Sequence, residues 1–320
     1  MRAQTDWLVT TDQQKLFFYK WLPADEQPRA WVLISHGMAE HAGRYRWLAE
    51  QLNNAGYAVL ALDQRGHGQS IADQPGHFAD SDGWRRVTSD IGALRQLAFT
   101  LSDGLPVFLL GHSMGSYIVQ GHLLDDGDGL AGVILSGSNA HPPALSKAGK
   151  LAAVIEGRLR GWGKPARTLG KLSFGQFNNA FRPNRTEFDW LTRDPDQVDA
   201  YVADPLCGFD CTARLWQDLF TGLLEIADPR RLSRIPSALP VHIIGGSVDP
   251  VSANGGLAKL QQRLMDAGLT DVSLQLYDDA RHEIFNEINR EQVVQDLLAW
   301  LTQHMPATTY PTLEPTDVPA

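Results

Sequence analysis

The chain has 320 residues, of which 43% are hydrophobic and 20% charged, with a formal net charge of −9. This permits one large α/β domain or two ordinary ones with an ample core, and the acidic balance argues against nucleic acid as a partner. Met1–Asp6 shows no apolar leader and no run approaches ~18 apolar residues, so a soluble, cytoplasmic protein is the expectation.

Residues 5–21 alternate around Trp7-Leu8-Val9 and Leu16-Phe17-Phe18-Tyr19, the pattern of an antiparallel hairpin. Ala30–Ile34 is a short apolar run that ends in Ser35-His36-Gly37-Met38-Ala39-Glu40-His41. An amphipathic helix over about 44–54 follows, then the run Tyr57–Leu62, the loop Asp63–Ser70 and a long helix near 83–102. Leu105–Leu110 leads into Gly111-His112-Ser113-Met114-Gly115 and a helix, and Gly132–Leu135 is a further strand. Strand and helix alternate, and the strands are continuously apolar. That is the signature of a parallel sheet covered on both faces. From about Ala140 to Ser237 no strand is legible and helical patterns punctuated by proline fill the stretch. Alternation resumes with a strand at Val241–Ile244, a helix over about 254–267, a strand at Ser273–Tyr277 and a helix over about 290–304. The expected organisation is therefore a core over 1–139, a helical insertion over 140–237, a second core part over 238–305 and a flexible tail over 306–320.

Gly111–Gly115 lies between a buried strand and a helix, the layout of a nucleophile elbow. Ser113 would sit on a sharp turn, with glycines on either side because a side chain there would crowd the turn. The Met114 N–H would point from a helix N-terminus at a developing oxyanion. A serine nucleophile needs a base, and the base an orienting acid. In doubly wound sheets such residues lie beyond the C-terminal ends of strands. Asp249 follows one strand and His282 the next, giving the order Ser113, Asp249, His282 expected of α/β-hydrolases. Asp63 also follows a strand but is expected to brace its own loop, and His112 is expected to be structural. Asp278 and Asp279 share the loop of His282 and are poorly placed to support it. The loop after Ala30–Ile34 should supply a second oxyanion donor, the Met38 N–H. Cys207 and Cys211 would share a face on a helix, a spacing that suits neither a disulfide nor a four-ligand zinc site. Both are expected to be buried small hydrophobes, a reactive thiol near the cleft being the alternative.

The chain resembles the monoacylglycerol lipase and lysophospholipase branch of the α/β-hydrolases, the serine aminopeptidase-like hydrolases. The resemblance rests on His36–Tyr45, Asp63–Ser70, Gly111–Gly115, Gly246–Pro250 and Arg281–Glu287, and covers about residues 15–305. It implies a Ser113–His282–Asp249 triad, Met38 and Met114 as oxyanion donors, no metal or organic cofactor, and the 140–237 insertion as a cap. Asp204-Pro205-Leu206 also looks like the branch. Where the family often has a small residue, this chain has Met38, which should narrow the pocket while keeping the backbone donor.

Within 146–185 nine basic residues face Glu156 alone. A solvated helical face and an anionic lipid surface are both compatible with that imbalance, and a third use is grip on a substrate phosphate. In the docked case Leu151, Val154, Ile155, Leu159 and Trp162 would turn toward acyl chains. Phe174, Phe177, Phe181, Phe188 and Trp190 would line an acyl tunnel or form ordinary cap core. The expected activity is hydrolysis of carboxylic esters with a medium or long acyl chain. An aminopeptidase-like amidase would want an acidic cap pocket, which the basic early cap disfavours. An epoxide or haloalkane hydrolase would want Asp at position 113. A catalytically inactive binding protein on the same fold is the alternative from another class.

Overall fold

The computed structural model describes residues 1–24, 27–102 and 104–306. Eight strands make one sheet: β1 Arg2–Val9, β2 Lys15–Leu22, β3 Ala30–Ser35, β4 Tyr57–Leu62, β5 Val107–His112, β6 Gly132–Ser136, β7 Val241–Gly246 and β8 Val272–Tyr277. Their order is β1-β2-β4-β3-β5-β6-β7-β8. The β1–β2 and β2–β4 pairs are antiparallel and every other pair is parallel. Helices α1 Arg46–Asn54, α2 Gly83–Ser102 and α3 Met114–Leu123 connect the strands of the first part. Between β6 and β7 stand α4 Pro143–Arg160, α5 Arg167–Phe174, α6 Pro195–Ala203, α7 Ala213–Glu225 and α8 Pro229–Leu232. Helices α9 Gly256–Asp266 and α10 Arg290–Gln303 complete the chain, while the tail expected at 306–320 lies, apart from Pro306, outside the described residues.

Fully apolar strands serve two cores at once, because successive side chains point to opposite faces. Leu33, Leu60, Leu109 and Val133 join the cluster under α2, α3 and α9. Their neighbours Val32, Val59, Phe108 and Ile134 join the cluster under α1 and α10. Burying each such side chain contributes about 1.5–3 kcal/mol. β1 and β2 behave differently: β1 is exposed along most of its length, and β2 mixes buried with half-buried positions.

The parallel register determines where the loops meet. Ser35 pairs with Gly111, His112 with Ser136, Ser136 with Ile244, and Gly246 with Tyr277. The C-terminal ends of β3, β5, β6, β7 and β8 therefore stand side by side, and the loops bearing Met38, Ser113, Asp249 and His282 leave the same edge. Between β6 and β7 the helices roof that edge, and their only pairing among the described residues is an isolated bridge, Pro165 with Thr212.

The cysteine expectation needs correcting. Neither cysteine lies in a helix: Cys207 sits in the turn after α6 and Cys211 just before α7. Only Cys211 is buried, whereas Cys207 is half-buried, and both are free.

Candidate active site

β5 ends at His112, and Ser113 takes φ 51° and ψ −121° before α3 begins at Met114. A non-glycine residue held at positive φ is strained, and its surroundings must over-determine it. The flanking glycines show how. A Cβ on Gly115 would lie 2.1 Å from the Ser35 carbonyl oxygen, and one on Gly111 would lie 2.6 Å from the Gly115 carbonyl oxygen. Below the turn, the Ser113 N–H donates to Ser136 O at 2.9 Å and the Ser116 hydroxyl donates to Ser113 O at 2.6 Å. The Ser116 Oγ also meets Ser138 Oγ at 2.8 Å, so buried hydroxyls satisfy the backbone of the elbow.

His282 is buried, with Nδ1 3.1 Å from both carboxylate oxygens of the equally buried Asp249. Burial acts to lower the pKa of His282. The Asp249 charge and hydrogen bond outweigh that effect, with help from Glu283 and Glu40, so the net shift is upward. The ring centroid of Trp190 lies 5.1 Å from that of His282 and the His112 centroid 4.7 Å away. His112 itself is driven down to about 4 by burial, with its Nδ1 3.2 Å from Ser136 Oγ. It is neutral at physiological pH and structural, as expected.

The loop after β3 is fixed just as tightly. His36 is fully buried and lowered to about 3, chiefly by desolvation. Its Nε2 accepts from the Gln64 N–H at 3.0 Å, which leaves Nδ1 to donate to Gly37 O at 2.8 Å. Glu40 accepts from the Gly37 N–H, the Tyr45 hydroxyl and Arg44. Asp63 accepts from the Ala42 and Gln69 amides, each at 2.8 Å, and so braces its surroundings as predicted.

Several contributors were not legible in the sequence. Arg44 makes a two-pronged pair with Glu283, at 2.8 and 2.7 Å, while also holding Glu40 at 2.6 Å. One guanidinium thus ties the Met38 loop to the residue after His282. Desolvation opposes ionisation of Glu283, but Arg44 wins and holds the carboxyl well below its usual range. From the roof, Tyr201 Oη and the Gly208 N–H both donate to Ala39 O at 2.9 Å, and the Glu283 N–H donates to Leu191 O at 2.7 Å. His41 Nε2 bonds Asp204 at 2.9 Å across the same seam. The Glu–His and Arg–His–Glu sequence neighbours offered a signal, but the pairings span up to 239 positions.

A cavity of about 830 Å3 joins these parts, within the ~300–1,000 Å3 usual for small-molecule sites. Met38, Ser113 and His282 line its floor. Phe174, Phe188, Trp190, Phe209 and Trp216 supply an aromatic wall, and Arg167, Lys171, Asn179, Asn184 and Glu187 stand at the exposed end. Phe177 packs behind Trp190, and Phe181 lies under the Arg281 guanidinium, so the five aromatics expected together divide between wall and support. Leu151, Ile155 and Leu159 do not line the cavity but face solvent, at 61%, 50% and 80% exposure. Among the described residues, His41, Asp204 and Cys207 alone group metal-ligand side chains within 4.8 Å, and His41 Nε2 there already bonds Asp204.

A mostly parallel, doubly wound sheet with a strained serine turn after its fifth strand, roofed by inserted helices, is the architecture of the α/β-hydrolases. Within that class the chain belongs to the serine aminopeptidase S33 family, whose profile matches residues 26–289. It is 30% identical over 293 residues to the monoacylglycerol lipase of Mycolicibacterium smegmatis, covering 91% of this chain and 94% of that protein. It is also 30% identical over 312 residues to human monoglyceride lipase, covering 92% and 89%. Among solved structures, a thermostable carboxyl esterase from Bacillus coagulans superposes with a TM-score of 0.86 at 25% identity, covering 95% of this chain and 99% of that one.

Proposed function

We propose that the chain is a serine hydrolase that cleaves monoacyl esters of glycerol or related alcohols with medium or long acyl chains, through a Ser113–His282–Asp249 triad. The observation that carries this reading is the pairing of His282 Nδ1 with Asp249, together with a serine held at φ 51° that lines the same cavity as His282. Ser113 Oγ attacks the ester carbonyl while His282 Nε2 takes its proton. Asp249 holds the imidazole in the tautomer that leaves Nε2 free, and stabilises the imidazolium that forms. The Met38 and Met114 N–H groups receive the oxyanion, each worth about 3 kcal/mol in the transition state. The imidazolium then protonates the leaving alcohol. Water, deprotonated by His282, hydrolyses the acyl-enzyme and regenerates Ser113. The aromatic wall suits an acyl chain and the polar mouth suits a hydroxylated head group.

The monoacylglycerol lipases among the relatives and the esterase among the solved structures support the ester reading. The test is fatty-acid release from monoacylglycerol and lysophosphatidylcholine of one acyl chain, with Ser113→Ala as blank and a fluorophosphonate label mapped by peptide. Release from either with the label on Ser113 supports the proposal. Cleavage confined to short aryl esters would remove the long-chain assignment, and turnover of amino-acid arylamides alone would replace it with an amidase.

The roof also supports transient contact with an anionic lipid surface. Leu151, Ile155 and Leu159 recur at four-residue intervals on one exposed stripe of α4, with Lys147, Lys150, Arg158 and Arg160 on the same helix. Among the described residues no helix is long and apolar enough to cross a membrane, so contact would be peripheral. Vesicles containing anionic lipid should retain the protein at low salt and lose it when Lys164, Arg167 and Lys171 are changed to Glu. Equal retention of both would remove the lipid contact and leave a solvated face.

A further inference from the structure

The outer edge of the sheet carries a self-complementary strand. β1 closes one end of the sheet, and all of Arg2–Val9 except Leu8 is exposed. Its sequence, Arg-Ala-Gln-Thr-Asp-Trp-Leu-Val, holds no proline or lysine to stop an edge strand from pairing, and its two charges, Arg2 and Asp6, are of opposite sign.

The hydrogen-bonding sense of this edge follows from the structure. Phe17 O accepts from the Asp63 N–H on the β4 side of β2, so Phe18 turns its amide and carbonyl toward β1, where it pairs with Asp6. Even-numbered residues of β1 are therefore spent on β2. Ala3, Thr5 and Trp7 point their backbone groups outward, and the Trp7 N–H falls back on its neighbour, bonding Asp6 Oδ1 at 2.8 Å. That leaves Ala3 and Thr5 in mid-strand, and Val9 at its end, with outward backbone groups.

We propose that β1 pairs antiparallel with β1 of a second copy of this chain, about a two-fold axis through Gln4. In this register Ala3 and Thr5 exchange N–H···O bonds with the partner's Thr5 and the partner's Ala3, using the free backbone groups. Arg2 then stands opposite the partner's Asp6, and Asp6 opposite the partner's Arg2, so the two-fold makes both ion pairs at once. These are non-hydrogen-bonded positions, where opposed Cα atoms approach to about 4.5 Å and side chains meet most closely. Among the described residues, Arg2 engages only its Nε, with Pro23 O at 3.2 Å, so its guanidinium ends have capacity for this. Trp7, 47% exposed at the end of an edge-to-face run with Phe17 and Tyr19, flanks the junction.

Sedimentation equilibrium on the full chain tests this. The wild type should dimerise reversibly with concentration. Asp6→Arg sets like charges opposite each other and should weaken the dimer about tenfold or more. The double change Arg2→Asp with Asp6→Arg should restore it. Thr5→Pro removes only an outward amide, so it should abolish the dimer without altering the thermal melt. Gln4→Cys should form an intermolecular disulfide on mild oxidation, whereas Thr5→Cys should not. Ester hydrolysis should be unchanged throughout, because β1 lies outside the cavity. A wild type that stays monomeric at its highest soluble concentration would overturn the proposal, as would a dimer that survives Asp6→Arg and Thr5→Pro.

Discussion

The floor and the roof of the cavity are held by different means. On the floor, β3, β5, β6 and β7 are buried along their length, His36 and His112 are neutral and hydrogen-bonded, and the glycines at 111 and 115 admit no side chain; β8, the edge strand before His282, is only half-buried. In the roof, α4 and α5 bury only Ser146, Ala153, Gly157 and Leu169, while large apolar side chains stand in solvent. The inner roof is fastened through Ala39 O, Leu191 O, the His41–Asp204 and Arg193–Glu287 pairs and the buried face of α7. Changes in the floor should therefore act on chemistry, and changes in the outer roof on substrate access or surface binding.

The sharpest test of that division is Ser113→Ala, which should lower kcat on a soluble ester by about 10^6 with an unchanged melting temperature. Asp249→Asn should follow, with a loss of about 10^4, because the imidazole loses the partner that sets its tautomer. Arg44→Met would strand Glu40 and Glu283 without their cation, and should cost about 3–5 kcal/mol in denaturant melts. Lysine at position 44 should rescue it only in part, since it cannot reproduce the two-pronged contact.

Glu283→Gln probes electrostatics at smaller scale. Burial pulls the His282 pKa down, while Asp249 first and then Glu283 and Glu40 push it up. Removing the Glu283 charge should lower that pKa. His282 must be neutral to accept the Ser113 proton, so the acid limb of the kcat/KM profile should move to lower pH. An upward move would contradict the assigned polarity. Leu159→Ser, at the other extreme, should change stability by less than about 0.5 kcal/mol. It should slow hydrolysis of vesicle-borne but not dissolved substrate. An equal loss on both would place α4 in the floor's category.

The sequence made the floor readable and the roof only partly so, for physical reasons. Strands buried on both faces must be continuously apolar, and a crowded elbow tolerates only glycine beside Ser113, so both leave local signatures. The strand expected at 132–135 follows the same rule, while the β1–β2 hairpin and the helix at 83–102 were legible from their own apolar patterning. The Arg44–Glu283 pair and the Tyr201–Ala39 bond carry no local signature, because their partners are brought together only by the completed sheet and roof. The exposed stripe on α4 was legible as apolar but not as exposed, for a related reason. Periodicity identifies a helix's apolar face, but not whether that face turns to the cavity or to water.

The order of the strands along the chain also bears on how the protein is made. Ser113 follows β5, whereas Asp249 and His282 follow β7 and β8, on the far side of the roof helices. A ribosome-bound chain that has extended through α7 holds a complete elbow but neither Asp249 nor His282. On the proposed triad, the serine of a nascent chain stays chemically quiet until β7 docks on β6 and β8 on β7.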